Sequence, residues 1–376
     1  MNIATCLPVM LLSLVLAGCG SPRPVTQVGD PPPGYQRAMV DRAAWPVANS
    51  DETLLQNGEP IALEIGVVVF DEGLINPDSR DARDKLRSVE SRLGAVLLRD
   101  TLTASTLWGP VRVLPSASQF AELTITAEVR HSDGRDLWLS VRAIDATNRV
   151  WLDDDFRATA SMADYDRDNG EPFRGVFVAI ANSLRRAAIR LSSQELAELT
   201  QVATLRYAAE LAPTLFGPYV ASVEGRLVAQ RLPSVSDPML PRIERIRNQE
   251  ALFIDTVDEQ YVDLWDAVGP TYRLWQRSGL EQAQYFEDYT ARASARELTA
   301  DRGSFAAMQQ VYSTYRSVRI QEQDLFDLAT GFDNETAPTV LSTGDRVVRL
   351  SGTLDQQYKE WRRLLAQLVE LEYGAL

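Results

Sequence analysis

The spacing of apolar residues changes at about residue 193, and this change limits the folds open to the chain. Before it, strand-like segments of β-branched residues alternate with helical ones. After it, apolar residues recur every three or four positions almost throughout, as in amphipathic helices. We therefore predict an α+β protein. A small α/β domain with a three-stranded meander spans residues 60–192, and a mostly α-helical domain with long helices spans residues 193–376.

The first domain is predicted to begin with a strand, a helix and a second strand. Ile61–Phe70 is a continuous β-branched run of the length expected for a buried central strand. Arg83–Leu107 has helical spacing, and Val111–Leu114 is strand-like. This order predicts a βαβ unit, in which the two strands are parallel.

Three strands with alternating apolar residues follow, and we predict that they form a meander. Asp133-Gly134 between the first two is a signal for a tight hairpin. Asn148 stands in the second turn, where a left-handed residue is needed, and asparagine tolerates that conformation. The strands are Leu123–Arg130, Leu137–Ile144 and Val150–Ala158.

The remaining elements are predicted to be helical, with one interruption. Phe173–Leu191 is amphipathic, and Ser192 and Glu195 form a capping box that opens the next helix. Beyond it we predict a helix between Pro238 and Pro270, a pair at about 280–300 and 304–330, a strand-like segment Arg346–Leu350 within residues 331–352, and a last helix Thr353–Tyr373.

The second hairpin of the meander, Val141–Trp151, carries a family resemblance. With the strand, helix and strand before it, it resembles the small α/β domain shared by TolB N-termini, curli-secretion lipoproteins and outer-membrane activators of penicillin-binding proteins. The resemblance covers residues 60–190, and members typically place glycine where Asn148 stands. It implies a domain that binds envelope proteins, and it implies no active site.

The N-terminus resembles the signal peptide of bacterial lipoproteins. Leu7–Leu16 is apolar, but about ten residues are too few for a hydrocarbon core that needs about 20 helical residues. Leu16-Ala17-Gly18-Cys19 resembles a lipobox, which implies that residues 1–18 are removed and that Cys19 is lipidated. No Lys or Arg precedes Arg23, which departs from the usual pattern, and an ordinary secretory signal is the alternative. No Asp follows Cys19, which by the same resemblance implies the outer membrane, at its periplasmic face.

Residues 19–59 are predicted to be a tether. They are rich in proline and poor in apolar residues, so they cannot build a core of their own. Fully extended, such a segment reaches about 130 Å. The alternative is a strap on the domain surface, held by Tyr35 and Trp45. The prolines are Pro22, Pro24, Pro31, Pro32, Pro33 and Pro46.

Charge and cysteine content exclude several classes of function. The net charge of −14 argues against nucleic-acid binding, which needs Lys and Arg to neutralise phosphates. It also argues against broad adhesion to anionic lipid headgroups. Cys6 lies in the signal, so the mature chain has no pair of cysteines to oxidise.

The sequence offers little catalytic chemistry. His131 is the only histidine and lies at a predicted hairpin tip, a poor place for an oriented catalytic imidazole. Asp164, Asp166 and Asp168 resemble the start of a calcium loop, but Asn169 stands where glycine is required. We therefore predict no enzyme, no catalytic residue, no metal and no cofactor.

Two aromatic pairs are the candidate partner-binding residues. Tyr272 with Trp275, and Tyr358 with Trp361, are each three positions apart in predicted helices, so each pair shares a face. Tyrosine and tryptophan suit both a docking patch and a core position with a satisfied polar tip. The alternative to partner binding is therefore that they are core anchors.

We predict from these features a non-catalytic outer-membrane lipoprotein that acts as a binding or scaffold component in cell-envelope assembly. Its partners would be the membrane, through the lipid anchor, and an envelope protein or peptidoglycan. Two alternatives stay open. One is a peptidoglycan-active enzyme that uses carboxylates, since a pair of Asp or Glu leaves no sequence signature. The other is a subunit of a secretion or appendage complex.

Overall fold

A computed structural model describes residues 53–56, 59–73, 82–166, 171–234, 237–297, 338–343 and 346–374, with single positions between 313 and 327. All of them belong to one compact unit, Asp41–Leu376. The predicted signal, Cys19 and most of the predicted tether lie outside the described residues. The chain is an α+β protein, as predicted.

The predicted βαβ unit is confirmed. Strand β1 (Ile65–Val68) and strand β2 (Val111–Leu114) are parallel neighbours, joined by helix α1 (Ala82–Ala104). β1 is fully buried, which agrees with its continuous apolar sequence. It is shorter than the predicted run, because Ile61 makes only an isolated bridge, to Trp108.

The predicted meander is confirmed as well. Strands β3 (Leu123–Ser132), β4 (Asp136–Asp145) and β5 (Val150–Thr159) are antiparallel, and the sheet order is β2-β1-β3-β4-β5. Both turns use the expected left-handed residues, with φ of +83° at Gly134 and +63° at Asn148.

Several helices follow the sheet. They are α2 (Met162–Tyr165), α3 (Arg174–Ala188), α4 (Ser193–Leu211) and α5 (Pro213–Phe216), and a 3-10 turn, Gly217–Tyr219, comes after them. The capping box predicted at Ser192 and Glu195 is present at the start of α4. α3 packs on the sheet through a wide buried face that includes Val176, Phe177 and Ile180.

A β-hairpin interrupts the half of the chain that was predicted to be helical almost throughout. Strands β6 (Val220–Val223) and β7 (Arg226–Ala229) pair across a two-residue turn. The turn residues Glu224 and Gly225 have φ of +51° and +80°, the left-handed conformations of a type I′ turn. The Glu-Gly turn between two short segments that contain valine was the overlooked signal.

A single long helix corrects the prediction of separate helices before and after Pro270. Helix α6 runs from Met239 to Glu297 with Pro270 inside it, so no new helix begins at about 280. A residue before proline normally avoids the α conformation, because its Cβ meets the proline ring. Residue 269 is glycine and has no Cβ, which removes this clash. The predicted helix at 304–330 falls largely outside the described residues.

The chain ends in a hairpin and a helix. Strand β8 (Thr339–Thr343) pairs with β9 (Arg346–Leu350), the segment predicted to be strand-like, and helix α7 spans Leu354–Gly374, close to the prediction. Within the described part of the chain, no helix is both long enough and apolar enough to cross a membrane.

The hydrophobic core is continuous across residue 193. Ile65 and Ile125 of the sheet belong to the same buried cluster as Phe253 of α6 and Trp361 of α7. The two predicted portions therefore share one core, and the division into two domains stays a prediction.

An ion-pair network also joins the sheet to α6. Arg247 of α6 pairs with Glu64 at 2.7 Å, and Arg112 of β2 pairs with Glu64 and, at 2.6 Å, with Asp255 of α6. The Arg112 and Arg247 guanidinium groups both lie near the ring of Phe120. Of these pairs, Arg247 and Glu64 are the furthest apart in sequence, at 183 positions.

Two glycines allow the β3–β4 turn to lie directly on α6. A Cβ at Gly134 would overlap the carbonyl oxygen of Gln276, and one at Gly279 would overlap the carbonyl oxygen of Asp133. Arg135, beside the turn, pairs with Glu287 further along the helix. The turn and the helix therefore meet backbone to backbone.

Candidate binding groove

A groove of about 380 Å³ lies between α4, the β4–β5 turn and the hairpin β6–β7. Each wall comes from a different part of the chain, so the groove exists only in the folded protein. Its lining combines apolar side chains with charged and polar ones.

The β4–β5 turn forms one wall and is held by Asp145. One oxygen of this buried carboxylate accepts bonds from the backbone N–H groups of Thr147 (2.8 Å) and Arg149 (3.0 Å) and from the Thr147 hydroxyl (2.6 Å). The other oxygen accepts a bond from Trp151 Nε1 at 2.8 Å. With four donors around it, Asp145 fixes the turn, and its carboxylate oxygens are already used in hydrogen bonds within the protein.

The hairpin β6–β7 forms the second wall and is attached to that turn. The backbone N–H of Leu227 donates to the carbonyl oxygen of Thr147 at 2.9 Å. Arg226 Nη2 donates to the Thr147 hydroxyl at 3.2 Å. These two bonds set the distance between the walls.

Apolar side chains cover the base and one rim of the groove. Leu199 and Val202 of α4 are buried at the base, with Leu191 beside them. On the rim, Val228 is 38% exposed and Leu232 is 59% exposed. Large apolar side chains exposed beside a groove are typical of a surface that a partner covers.

The charged side chains of the groove are already engaged by protein partners. Arg149 pairs with Glu195 at 2.7 Å, and Glu198 accepts a bond from Gln194 at 2.9 Å. Hydrogen bonds from Ser192, the backbone N–H first, and from Arg149 lower the pKa of Glu195 to about 2. A carboxylate held ionised in this way is a poor general acid, so the groove favours binding over acid–base chemistry.

The predicted partner-binding residues Tyr358 and Trp361 lie in the core. Both are buried in α7 and stack on Phe253 of α6, with ring centroids 5.8 and 6.0 Å away. The Tyr358 hydroxyl lies 2.8 Å from the buried carboxylate of Glu250, which also accepts a bond from Tyr207 at 2.7 Å.

Tyr272 and Trp275 are buried too, in a different cluster. They stack on each other at 5.7 Å and pack against Leu86, Val89 and Leu93 of α1. The Tyr272 hydroxyl donates to Glu90 at 3.1 Å. This corrects the docking-patch interpretation of the four aromatic residues in favour of the core interpretation. The two pairs anchor separate clusters and do not pack on each other.

The residues around His131 form no catalytic triad. Ser132 donates its hydroxyl to Glu90, and His131 Nε2 lies 3.1 Å from Asp133 Oδ2. Burial alone would raise the pKa of Asp133, but hydrogen bonds from His131 and from nearby backbone N–H groups lower it to about 2. Asp133 thus accepts hydrogen bonds that stabilise the β3–β4 turn.

The aspartates of the calcium-like segment make protein contacts. Asp164 accepts bonds from the backbone N–H and hydroxyl of Ser161, and Asp166 pairs with Arg277 at 3.3 Å. Asp168 lies outside the described residues. In the described ranges, no three His, Cys, Asp or Glu side chains converge in a way that would hold a metal ion.

A second cavity contains two further carboxyl groups, Glu90 and Glu171, but its volume of about 20 Å³ holds about one water molecule. Burial raises the pKa of Glu171 to about 7, although a bond from the backbone N–H of Phe173 and the charge of Arg273 oppose the shift. The cavity has no room for a sugar ring.

No family model matches this chain, and no curated protein sequence is similar to it. Among solved structures, a PelC dodecamer from Paraburkholderia phytofirmans is similar to this chain over 34% of its length and 92% of the other chain, at 16% identity and a TM-score of 0.25. A similarity of that size transfers no function.

The groove itself was missed by the sequence analysis. One of its walls is the hairpin at Val220–Ala229, which lies in the half that was predicted to be helical. Its two other walls were predicted as elements, but no pattern in the sequence indicates that they meet.

Proposed function

We propose that this protein is an outer-membrane lipoprotein, anchored through Cys19 at the periplasmic face, that binds another envelope protein without catalysis. The observation that carries the proposal is the groove beside β6–β7, with exposed Val228 and Leu232 and with its charged side chains already engaged by protein partners. Such a groove suits an apolar protein segment better than a charged substrate.

The anchor part of the proposal rests on the sequence. Leu16-Ala17-Gly18-Cys19 closes a short apolar run, and a proline-rich segment follows it. Together these suit a soluble body tethered to a membrane by a lipidated cysteine.

Site-specific photo-crosslinking in intact cells tests the groove. A photoreactive amino acid replaces Leu232 on the groove rim, and a matched control replaces Leu274 of α6; the two side chains are 59% and 57% exposed. We expect a discrete crosslinked envelope protein from position 232 and none from position 274.

The captured protein is then purified and tested for direct binding. We expect Val228→Asp to weaken that binding at least ten-fold, because it puts a charge on the apolar rim. Equal crosslinking from both positions, or unchanged binding by Val228→Asp, contradicts the groove as the docking site.

Cell fractionation tests the anchor. Cys19→Ala should move the protein from the membrane fraction to the soluble periplasmic fraction after a high-salt wash. If the variant stays in the membrane fraction after that wash, the lipid anchor is wrong.

Purified cell-wall sacculi test the enzymatic alternative. Incubation with the protein should release no muropeptides, although the protein is free to co-sediment with the sacculi. Released muropeptides that disappear in a carboxylate variant, such as Glu171→Gln, would replace the proposal with a hydrolase.

A further inference from the structure

The described part of the segment that leads from the predicted anchor is bonded to helix α3, and Gln56 also donates to the carbonyl oxygen of Ala104 at the end of α1. The backbone N–H of Leu55 donates to the side-chain oxygen of Asn182 at 3.0 Å. The Asn182 side-chain NH₂ donates back to the carbonyl oxygen of Thr53 at 3.0 Å. Asn182 is buried, so these two hydrogen bonds attach residues 53–55 firmly to α3.

The same side of α3 continues into a basic and apolar surface. Positions three, four and seven residues after Asn182 share its face, and they hold Arg185, Arg186 and Ile189. Ile189 ends the helix and is 61% exposed, and Arg190 beside it is also exposed. Leu55, on the attached segment, is 42% exposed.

Two properties of this surface bear on its partner. The chain carries a net charge of −14, yet three arginines fall within six positions here. A helix C-terminus favours cations, which accounts for Arg185 and Arg186 in the last turn of α3. It does not account for an exposed isoleucine between arginines, a combination typical of surfaces at the membrane–water interface.

We propose that the end of α3, formed by Arg185, Arg186, Ile189 and Arg190, is a contact surface for anionic phospholipid headgroups. The arginines bind the lipid phosphates, and Ile189 enters the interfacial layer between them. This is a local exception to the repulsion expected from the acidic surface as a whole.

The position of the surface supports lipid as the occupant. This inference rests on the proposed anchor at Cys19, which lies 34 residues before Thr53, and on the predicted tether: a coil of that length spans about 30 Å on average. The anchored chain would therefore keep the end of α3 within reach of the bilayer. The binding groove lies near it, because Ala188 of α3 packs with Leu199 of the groove base.

Vesicle flotation tests the proposal with the chain from position 19 onward carrying Cys19→Ala, so that neither an acyl chain nor the apolar run Leu7–Leu16 contributes. Vesicles of phosphatidylcholine with phosphatidylglycerol are compared with vesicles of phosphatidylcholine alone. We expect flotation with the anionic vesicles only, and we expect it to be lost at 1 M salt, where the screening length falls to about 3 Å.

Matched variants locate the contact. Each arginine near an anionic surface strengthens binding about five-fold, so Arg185→Glu with Arg190→Glu should weaken flotation at least 25-fold. Ile189→Asp should weaken it at least five-fold. Leu252→Asp on α6, where the side chain is 62% exposed, should leave it unchanged.

Three results would overturn the proposal: no binding to anionic vesicles, equal losses in Ile189→Asp and Leu252→Asp, or displacement by millimolar inorganic phosphate, which would indicate a soluble phosphate ligand. Circular dichroism confirms that each variant is folded. The assay needs neither lipidation nor the groove partner, so its failure is distinct from a failure of the crosslinking or fractionation tests.

Discussion

Gly279→Ala should destabilise the protein, although alanine is normally the better residue within a helix. Gly279 lies inside α6, where replacement of glycine by alanine is worth about 1 kcal/mol. The added Cβ, however, would overlap the carbonyl oxygen of Asp133 and lie 3.3 Å from its carbonyl carbon. Both groups are backbone, so neither side can rotate away.

The magnitude follows from these opposing effects. Overpacking of a buried contact costs about 1–3 kcal/mol, and a contact between two backbones belongs at the upper end of that range. After the helical gain of about 1 kcal/mol is subtracted, we expect a net loss of about 2 kcal/mol. Gly134→Ala should lose more, because φ of +83° there adds conformational strain of about 1–2 kcal/mol.

Urea unfolding of the purified protein, followed by far-ultraviolet circular dichroism, measures these differences. Thr256→Ala is the control, since it puts alanine on an exposed part of the same helix and should be neutral or stabilising by a few tenths of a kcal/mol. If Gly279→Ala is as stable as the wild type, the close packing of the β3–β4 turn on α6 is refuted.

Three further outcomes follow from single side chains. Tyr358→Phe removes a hydroxyl partner from the buried carboxylate of Glu250 and should cost about 2 kcal/mol in urea unfolding; a loss below about 0.5 kcal/mol would contradict that bond. Asn148→Gly should change the unfolding free energy by less than about 1 kcal/mol, whereas Asn148→Val should lose about 1–2 kcal/mol, because only valine resists φ of +63°. The folded-state pKa of Glu171 is raised to about 7, above the unfolded value of about 4.3, so its protonation stabilises the fold at low pH. Wild-type stability should fall between about pH 4.5 and 7 relative to Glu171→Gln, and parallel pH profiles of the two proteins would contradict this assignment.

The sheet was predictable because its signals are local. Alternation of apolar residues, Asp133-Gly134 and Asn148 together indicate a meander whose bounds agree with the structure to within two residues. The capping box at Ser192 and Glu195 is equally local, since its hydrogen bonds join residues only three positions apart.

The prediction failed where a local signal had two meanings. Gly269-Pro270 usually marks a turn, yet here the missing Cβ of glycine lets the helix continue through proline. Burial of Val268 and Tyr272 against α1 on either side of Pro270 stabilises the continuous helix. No pattern within α6 itself shows that α1 will lie there.

The candidate site was predictable only in part, for the same reason. The aromatic pairs were correctly placed on helix faces, but spacing alone does not distinguish a face covered by another helix from one left open. The groove depends on a bond from Leu227 to Thr147, eighty residues apart in sequence, and no periodicity encodes such a pairing.

The sequence by itself determined the α+β class, the βαβ unit, and the meander with its turn residues, because φ preferences and apolar spacing act within a few residues of one another. Only the tertiary structure decided which aromatic residues are buried, that one core runs through both halves, and that the turn, hairpin and helix enclose a groove. The physical reason is that burial belongs to pairs of surfaces. A residue's own neighbours in sequence indicate which side of it is apolar, and the distant segment that packs there decides whether that side becomes core or binding site.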